Sequence, residues 1–437
     1  MSINSKNVLY NLDPNYGSVQ TTVFNKLKNL VSVKDFGAKG DSLSDDTKAF
    51  KNAIKYLENR NVEIPRTPES PAYYTKGDGA LYIPVGSYVI SEDIITKKAI
   101  TYYGDGPEIS EVHLYNNSSI IHRSTETGTN ENSNQFTMKN LRISVAEDLE
   151  KPALNLNFVA GATVCDVNLY NVKIIGLFPG RKIKQALKLN NARLCRIDQC
   201  MFVGDSTKNT ENQITNPPRS EHGLLILGNG QPCLNPVDLY ISNCYFQHWK
   251  KSSVYVGGCV EGVNFDNVAI VDSRIGMFFD ASFNGNQNAE PWFKVQGCHL
   301  NCSKFGIYTK NIMQFNFGNN LFYSQNFGSN IENSFSAISV NNNLPINIKY
   351  NLNGNIHHNF IGLIPSNNQA KINRGIVING GPANESTIID SCQYSGLDVG
   401  IFFGKQSNGN LVSSSQIFSN CRNNIQNNGS NNKILFN

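Results

Sequence analysis

The stretch VDLYISNCYFQHWKKSSVYVGG (237–258), VEGVNFDNVAIVDSRIGMFFDA (260–281) and PWFKVQGCHLNCSKFGIYT (291–309) is one pattern written three times. Each copy opens with two apolar residues at alternate positions: Leu239 and Ile241, Val263 and Phe265, Phe293 and Val295. A small or amide residue follows (Asn243, Asn267, Gly297), then an apolar residue (Phe246, Ile270, Leu300). A second short apolar run closes each copy, at Val254–Val256, Met277–Phe279 and Ile307–Thr309. Alternation of period two, repeating about every 23 residues with no amphipathic helix in between, is the mark of a solenoid built from short strands. One coil cannot bury its inward side chains alone, but coils stacked at a strand spacing of roughly 4.8 Å share a continuous core. Asn243 and Asn267 then stand one above the other as a column of amides, each able to donate and accept along the stack. The expected fold is all-β, a parallel β-helix.

Working outward from that stretch, coils are expected at about 81–103, 110–125, 135–159, 164–190, 194–229, 237–259, 260–282, 291–311, 313–342, 346–380, 386–405 and 409–432. Insertions fall at Gly204–Glu221, Ser282–Glu290 and Ile361–Arg374, and loops at the corners of a solenoid usually build its binding face. Residues 1–30 are polar and aperiodic, and read as an arm or attachment segment preceding a β-helix domain over 31–437. Within DDTKAFKNAIKYLENR, Asp45 or Asp46 can cap a helix from about Thr47 to Leu57, inside a cap region of about 45–58. Phe50, Ile54 and Leu57 form its apolar stripe, suited to covering the open end of the solenoid. Residues 61–79 carry three prolines and read as a loop.

Composition narrows the function. A chain of 437 residues with 16% charged side chains and a net charge of +4 has no Lys/Arg block, so nucleic acid is not an expected partner. MSINSKNVLYNLDPNYGS lacks a basic segment leading into an apolar one, and no run approaches 18 apolar residues, so neither a secretion signal nor a membrane span is expected. The ten Cys show no CxxC pairs at zinc spacing, and Cys200, Cys244, Cys298 and Cys392 share one slot of the repeat. They read as reduced thiols filling small apolar gaps, in a chain folded in a reducing compartment.

VKDFGAKGD and DDTKAFKNAI, followed by ALYIPVGSYVI (80–90), resemble the N-terminal signature of the pectate-lyase-like right-handed β-helix superfamily, and bacteriophage tailspikes in particular. The resemblance implies a right-handed helix, a homotrimer, and a virion tail component attached through the N-terminal arm. It also implies polysaccharide depolymerase activity on a bacterial capsule or O-antigen. Within that superfamily occur hydrolases, lyases and binding proteins, so the chemistry must be sought in the residues.

With Leu239, Val263 and Phe293 pointing inward, their neighbours point outward. One face therefore carries Asp238 and Tyr240, then Gly262 and Asn264, then Trp292 and Lys294. Gly262 leaves a gap between Asp238 and Trp292, with Glu261 beside it. An indole next to two acids suits a sugar site, since sugar C–H faces pack on aromatic planes while the acids act on the glycosidic bond. Strand spacing alone puts the Asp238 and Glu261 Cα atoms roughly 5–7 Å apart, which leaves retaining and inverting hydrolysis both open. Either acid can instead be a solvated or turn-capping residue. Asp272 and Asp280 form a reserve acid pair; Asp280 aligns with Lys310 and can simply pair with it. Arg274 continues a column with Lys184, Glu221, Lys251 and Lys304 that can hold an acidic polysaccharide or keep strand edges soluble. His248 and Trp249 are further candidates for contact with the substrate, and His248 with His222 and Tyr255 permits a lyase, which needs a base and a cation at an enolate. No metal site and no cofactor are expected, because no tight Asp-x-Asp cluster or phosphate loop appears.

Overall fold

The computed structural model describes residues 4–10, 30–59, 79–124, 134–160, 165–177, 180–205, 218–228, 236–285, 290–324, 334–342, 353–363, 372–380 and 387–435, with a few positions between 11 and 29. The cores of the three expected insertions, 206–217, 286–289 and 364–371, and most of the 61–79 loop lie outside these residues.

Within them, 35 strands join one continuous parallel sheet. It folds round into three faces, so each coil adds one rung to each face. In the central coils the first face is Leu239–Ser242, Val263–Asp266 and Phe293–Gln296, stacked with Leu239 under Val263 under Phe293. The second face begins at Tyr245, Ala269 and His299, and the third holds Val254, Met277 and Ile307 in register. Inward side chains from the faces meet along the axis: the Phe279 ring lies 5.0 Å from Phe293 and 5.9 Å from Phe265. Each such buried ring contributes about 1.5–3 kcal/mol by leaving water.

The corner between first and second faces has a backbone cause that the amide column only hints at. Asn140, Asn171, Gln199, Asn243, Asn267 and Asn319 all sit there with φ between 50° and 57°. Asn tolerates this left-handed conformation better than other residues with a side chain. The amides also bond along the stack, Asn171 Nδ2 to Asn140 Oδ1 at 2.9 Å and Asn267 Nδ2 to Asn243 Oδ1 at 2.8 Å. Asn267→Ala is expected to lose both advantages and cost about 1–2 kcal/mol in a denaturant titration, whereas Asn267→Gly, relieved of the strain, costs less than half as much.

Helix α1 (Thr47–Glu58) closes the lower end with Phe50, Ile54 and Leu57 buried. Phe50 meets Tyr88 of the first coil edge-on at 5.7 Å. Of the two possible caps, Asp45 accepts the Thr47 N–H at 3.0 Å, while Asp46 turns back to accept from Lys39 and Gly40 at 2.7 and 3.1 Å. Pairing into the stack starts at Leu30–Ser32, under Ala80–Tyr82. One expected coil boundary moves. Thr101–Gly104 pairs with Ala80–Ile83 and opens the second coil, instead of ending the first, because the third-face strand between them is only Ile94–Thr96. The nine cysteines among the described residues are free thiols, and all but Cys421 are buried.

Candidate active site on the first face

At the corner where the chain enters the first face, Asp238, Gly262 and Trp292 lie on successive rungs with φ of 57°, 67° and 66°. The amide of Leu239 donates to Gly262 O and that of Val263 to Trp292 O, at 3.0 Å each, so the corner is tied together rung by rung. Glycine meets the left-handed requirement at 262 without cost. A Cβ there would stand 3.1 Å from the Asp238 amide nitrogen, so the close approach of the rung below also favours glycine. Trp292 carries a bulky side chain in the same conformation, a strain of about 1–2 kcal/mol. Its indole is nevertheless 62% exposed. Left-handed backbone recurs at this corner, at Leu194, Asp238 and Gly262, and it turns the Trp292 ring outward to solvent.

Tyr240 (47% exposed), Asn264 and Lys294 follow two residues on, in register on consecutive rungs. Asp238 is exposed and Glu261 half-buried beside the gap. Burial raises the Glu261 carboxyl above its ordinary range; the Arg193 guanidinium works against this, and the Asp238 charge adds to it. Two carboxyls in unequal surroundings, one held toward its acid form and one open to water, is the division of labour that acid–base cleavage of a glycosidic bond requires.

Three residues of this face escaped the sequence reading: Arg193, Arg196, in register under Tyr240, and Tyr170, exposed two rungs lower. The insertion after Gly204 hides them. Asp198 and Ser242 hydrogen-bond at 2.8 Å as rung neighbours though 44 residues apart in sequence, which breaks the 23-residue period. Arg193→Ala is expected to move Glu261 further upward, because it removes the positive charge that favours the carboxylate. The alkaline limb of the cleavage pH profile should then shift to higher pH; an unchanged limb would separate Glu261 from proton donation.

Several sequence candidates stand elsewhere. Trp249 is 0% exposed, its Nε1 donating to Phe202 O at 3.3 Å, and His248 is 2% exposed, so neither faces a ligand. Both belong to the second corner, where the chain turns inward and Trp249 fills the space left by Gly223. Asp272 is buried at that corner too, accepting from Gln247 Nε2 at 2.9 Å with His248 Nε2 at 3.7 Å. It is a partnered structural acid. Asp280 ends the third-face strand, buried, accepting the Tyr255 hydroxyl at 3.2 Å with Lys310 Nζ at 3.6 Å. These two acids are therefore not brought together as a pair. Arg274 stands in the expected column, between Lys251 and Lys304, where Lys251 is neutralised by Glu221 at 2.9 Å. His222 and Tyr255 do meet, ring centroids 5.6 Å apart, and burial followed by the charge of Lys251 lowers the imidazole to about 4, leaving it neutral near pH 7. Among the described residues no three His, Cys, Asp or Glu side chains converge on a point that would hold a metal.

Comparison with known proteins agrees with this architecture. The family model for rhamnogalacturonase A/epimerase, pectate lyase-like, matches residues 30–264, which includes Asp238, Tyr240 and Glu261. A probable glucan endo-1,3-beta-glucosidase of Arthroderma benhamiae is 32% identical over 112 residues, 25% of this chain but 12% of that protein's length. Among solved structures, a double mutant of the tailspike of E. coli bacteriophage HK620 superposes with a TM-score of 0.56 at 12% identity, over 95% of this chain and 71% of that one. The N-terminal fragment of bacteriophage Phi29 gene product 12 gives 0.50 at 14% identity, over 94% and 67%. At such identities the likeness is one of fold.

Proposed function

The chain belongs to the rhamnogalacturonase A/epimerase, pectate lyase-like family, and on that premise we propose that it binds and cleaves a bacterial surface polysaccharide, a capsule or O-antigen. Cleavage is glycoside hydrolysis on the first face. Glu261 is the general acid that protonates the leaving oxygen, and Asp238 is the base or nucleophile across the bond. Trp292 and Tyr240 supply the planes on which sugar rings pack, and Asn264 and Lys294 supply hydrogen bonds between them. The observation that carries the reading is the juxtaposition on either side of Gly262: a half-buried acid held toward protonation, an exposed carboxylate, and an exposed indole on successive rungs of one corner. Tyr170, Tyr240 and Trp292 recur every second rung of this face, each displaced two residues along its strand from the last, so the platforms form an oblique row with steps of roughly 12 Å. That row suits a glycan lying obliquely across the face.

The reading extends to a virion tail spike, a homotrimer attached through residues 1–30. Fold likeness to a phage tailspike supports this extension. Incubation with purified capsules from a strain panel tests the function. A fall in chain length with new reducing ends and no new ultraviolet absorption is the expected result. Absorbing products, from a C=C conjugated to a carboxylate, would make it a lyase; undiminished chain length across the panel would make it a binding protein only.

A further inference from the structure

The second face changes character along its length. On its lower rungs the outward positions carry charge: Glu111 meets Arg142 at 3.0 Å, and Lys173 pairs with Glu108. Higher up, the outward column runs from Met201 through Tyr245, Ala269, Leu321 and Phe360 to Ile417, eight rungs in unbroken register. Their chain neighbours Phe202, Ile270 and Phe322 are buried in the core, so this column faces away from it. A parallel column two residues on adds Val203, Val271 and Tyr323. No Lys, Arg, Asp or Glu stands at an outward position of these eight rungs. His299, in the first column, is kept neutral near pH 7, because burial lowers its imidazole. A parallel sheet is usually covered on both sides, so a long uncharged outward strip calls for a cover.

We propose that a second copy of this chain docks on the strip, the solenoids side by side with their second faces turned toward a common axis. Eight rungs at a strand spacing of roughly 4.8 Å make the strip about 34 Å long, and two columns of side chains make it about 15 Å wide, an outline of about 500 Å². That is near the upper end for the apolar patch of a lone monomer, and with side-chain relief it approaches the about 800 Å² that each partner buries in a stable contact. Charge narrows the choice of partner. An anionic polymer or membrane surface needs cations, and none lines the strip. A charged protein surface would be left there with ions stripped of water and unpaired. Met201, Val203, Val271 and Leu321 offer neither flat planes nor hydrogen bonds to a sugar. A second copy brings an uncharged strip of the same length and the same rung spacing, so the ridges of one can seat between those of the other. The contact does not need the cleavage chemistry at Glu261.

The experiment is light scattering of the full chain over a concentration series, with far-ultraviolet circular dichroism to read folding separately. Wild type should form an assembly that comes apart only on dilution. Ala269→Arg and Leu321→Glu each put an unpaired charge in the middle of the contact, and each should raise the dissociation constant at least about 100-fold. Leu321→Met keeps the strip apolar and should assemble as wild type does. Gln393, in the same column, is exposed and already polar. Gln393→Arg therefore leaves the fold intact and should weaken assembly several-fold. Asn355→Arg, at an exposed position of the first face, should leave the mass unchanged. Single chains in wild type at every concentration would overturn the proposal. So would wild-type assembly in folded Leu321→Glu and Gln393→Arg, or dissociation by Asn355→Arg and not by the second-face variants.

Discussion

Glu261→Gln is expected to lower kcat for polysaccharide cleavage about 100- to 10,000-fold, the range that a positioned general acid contributes. The amide keeps the shape of the side chain and gives up only the transferable proton. The expectation follows from the local electrostatics: burial favours the uncharged carboxyl, and the neighbouring Asp238 charge favours it further. A group held toward its acid form donates at higher pH than an ordinary Glu, and the rate should fall as pH rises through that elevated value. Asp238→Asn should cause a loss of similar size, since the exposed carboxylate must accept a proton from water or attack carbon directly. The two are parts of one machine, so the double variant should be little worse than the worse single one. Asp272→Asn, at the second corner and held by Gln247, should leave kcat within a few-fold. Wild-type rates in folded Glu261→Gln and Asp238→Asn would remove the pair from the chemistry.

Trp249→Ala is expected to produce the largest loss of stability, about 3–5 kcal/mol by denaturant titration. The indole is enclosed among core side chains at the second corner and its N–H has a backbone partner in Phe202. Truncation leaves a cavity that stacked coils cannot collapse, because every neighbouring rung fixes the spacing. Trp249→Phe should recover most of the loss while forfeiting the hydrogen bond. Folded Trp249→Phe should bind glycan as tightly as wild type, which an indole lining the substrate groove would not allow. Trp292→Ala should behave in the opposite manner, weakening substrate binding at little cost in stability, because the ring is exposed and alanine keeps the same Cβ in the left-handed backbone.

These two tryptophans show how far the sequence can be read. Leu239, Val263 and Phe293 follow one another at 24 and 30 residues, and the alternation shared by the three segments placed Tyr240, Asn264 and Lys294 over one another as the structure has them. Period-two logic holds inside strands, where side chains alternate, and it carried over to Trp292, one residue before the strand Phe293–Gln296. It fails at the second corner. His248 and Trp249 follow a strand directly, and there the backbone takes a left-handed residue, φ of 66° at His248, that swings the indole inward. A sequence shows polar neighbours such as Lys250 and Lys251 and suggests exposure; only the turn geometry and the space beside Gly223 reveal the reverse. Arg193 and Arg196 were hidden for a different reason, since the insertion after Gly204 displaces their coil from the period. Asp280 was the readable case, its alignment with Lys310 becoming an ion pair at 3.6 Å.

The measurement that bears most directly on the whole account is a crystal structure of the Glu261→Gln protein soaked with oligosaccharides from its cleaved polysaccharide. A glycan is expected along the first face, sugar rings on Trp292 and Tyr240, with one glycosidic oxygen within hydrogen-bond distance of the residue 261 side chain and Asp238 across that bond. A glycan held elsewhere, with the Gly262 gap filled by water and Trp292 untouched, would contradict it.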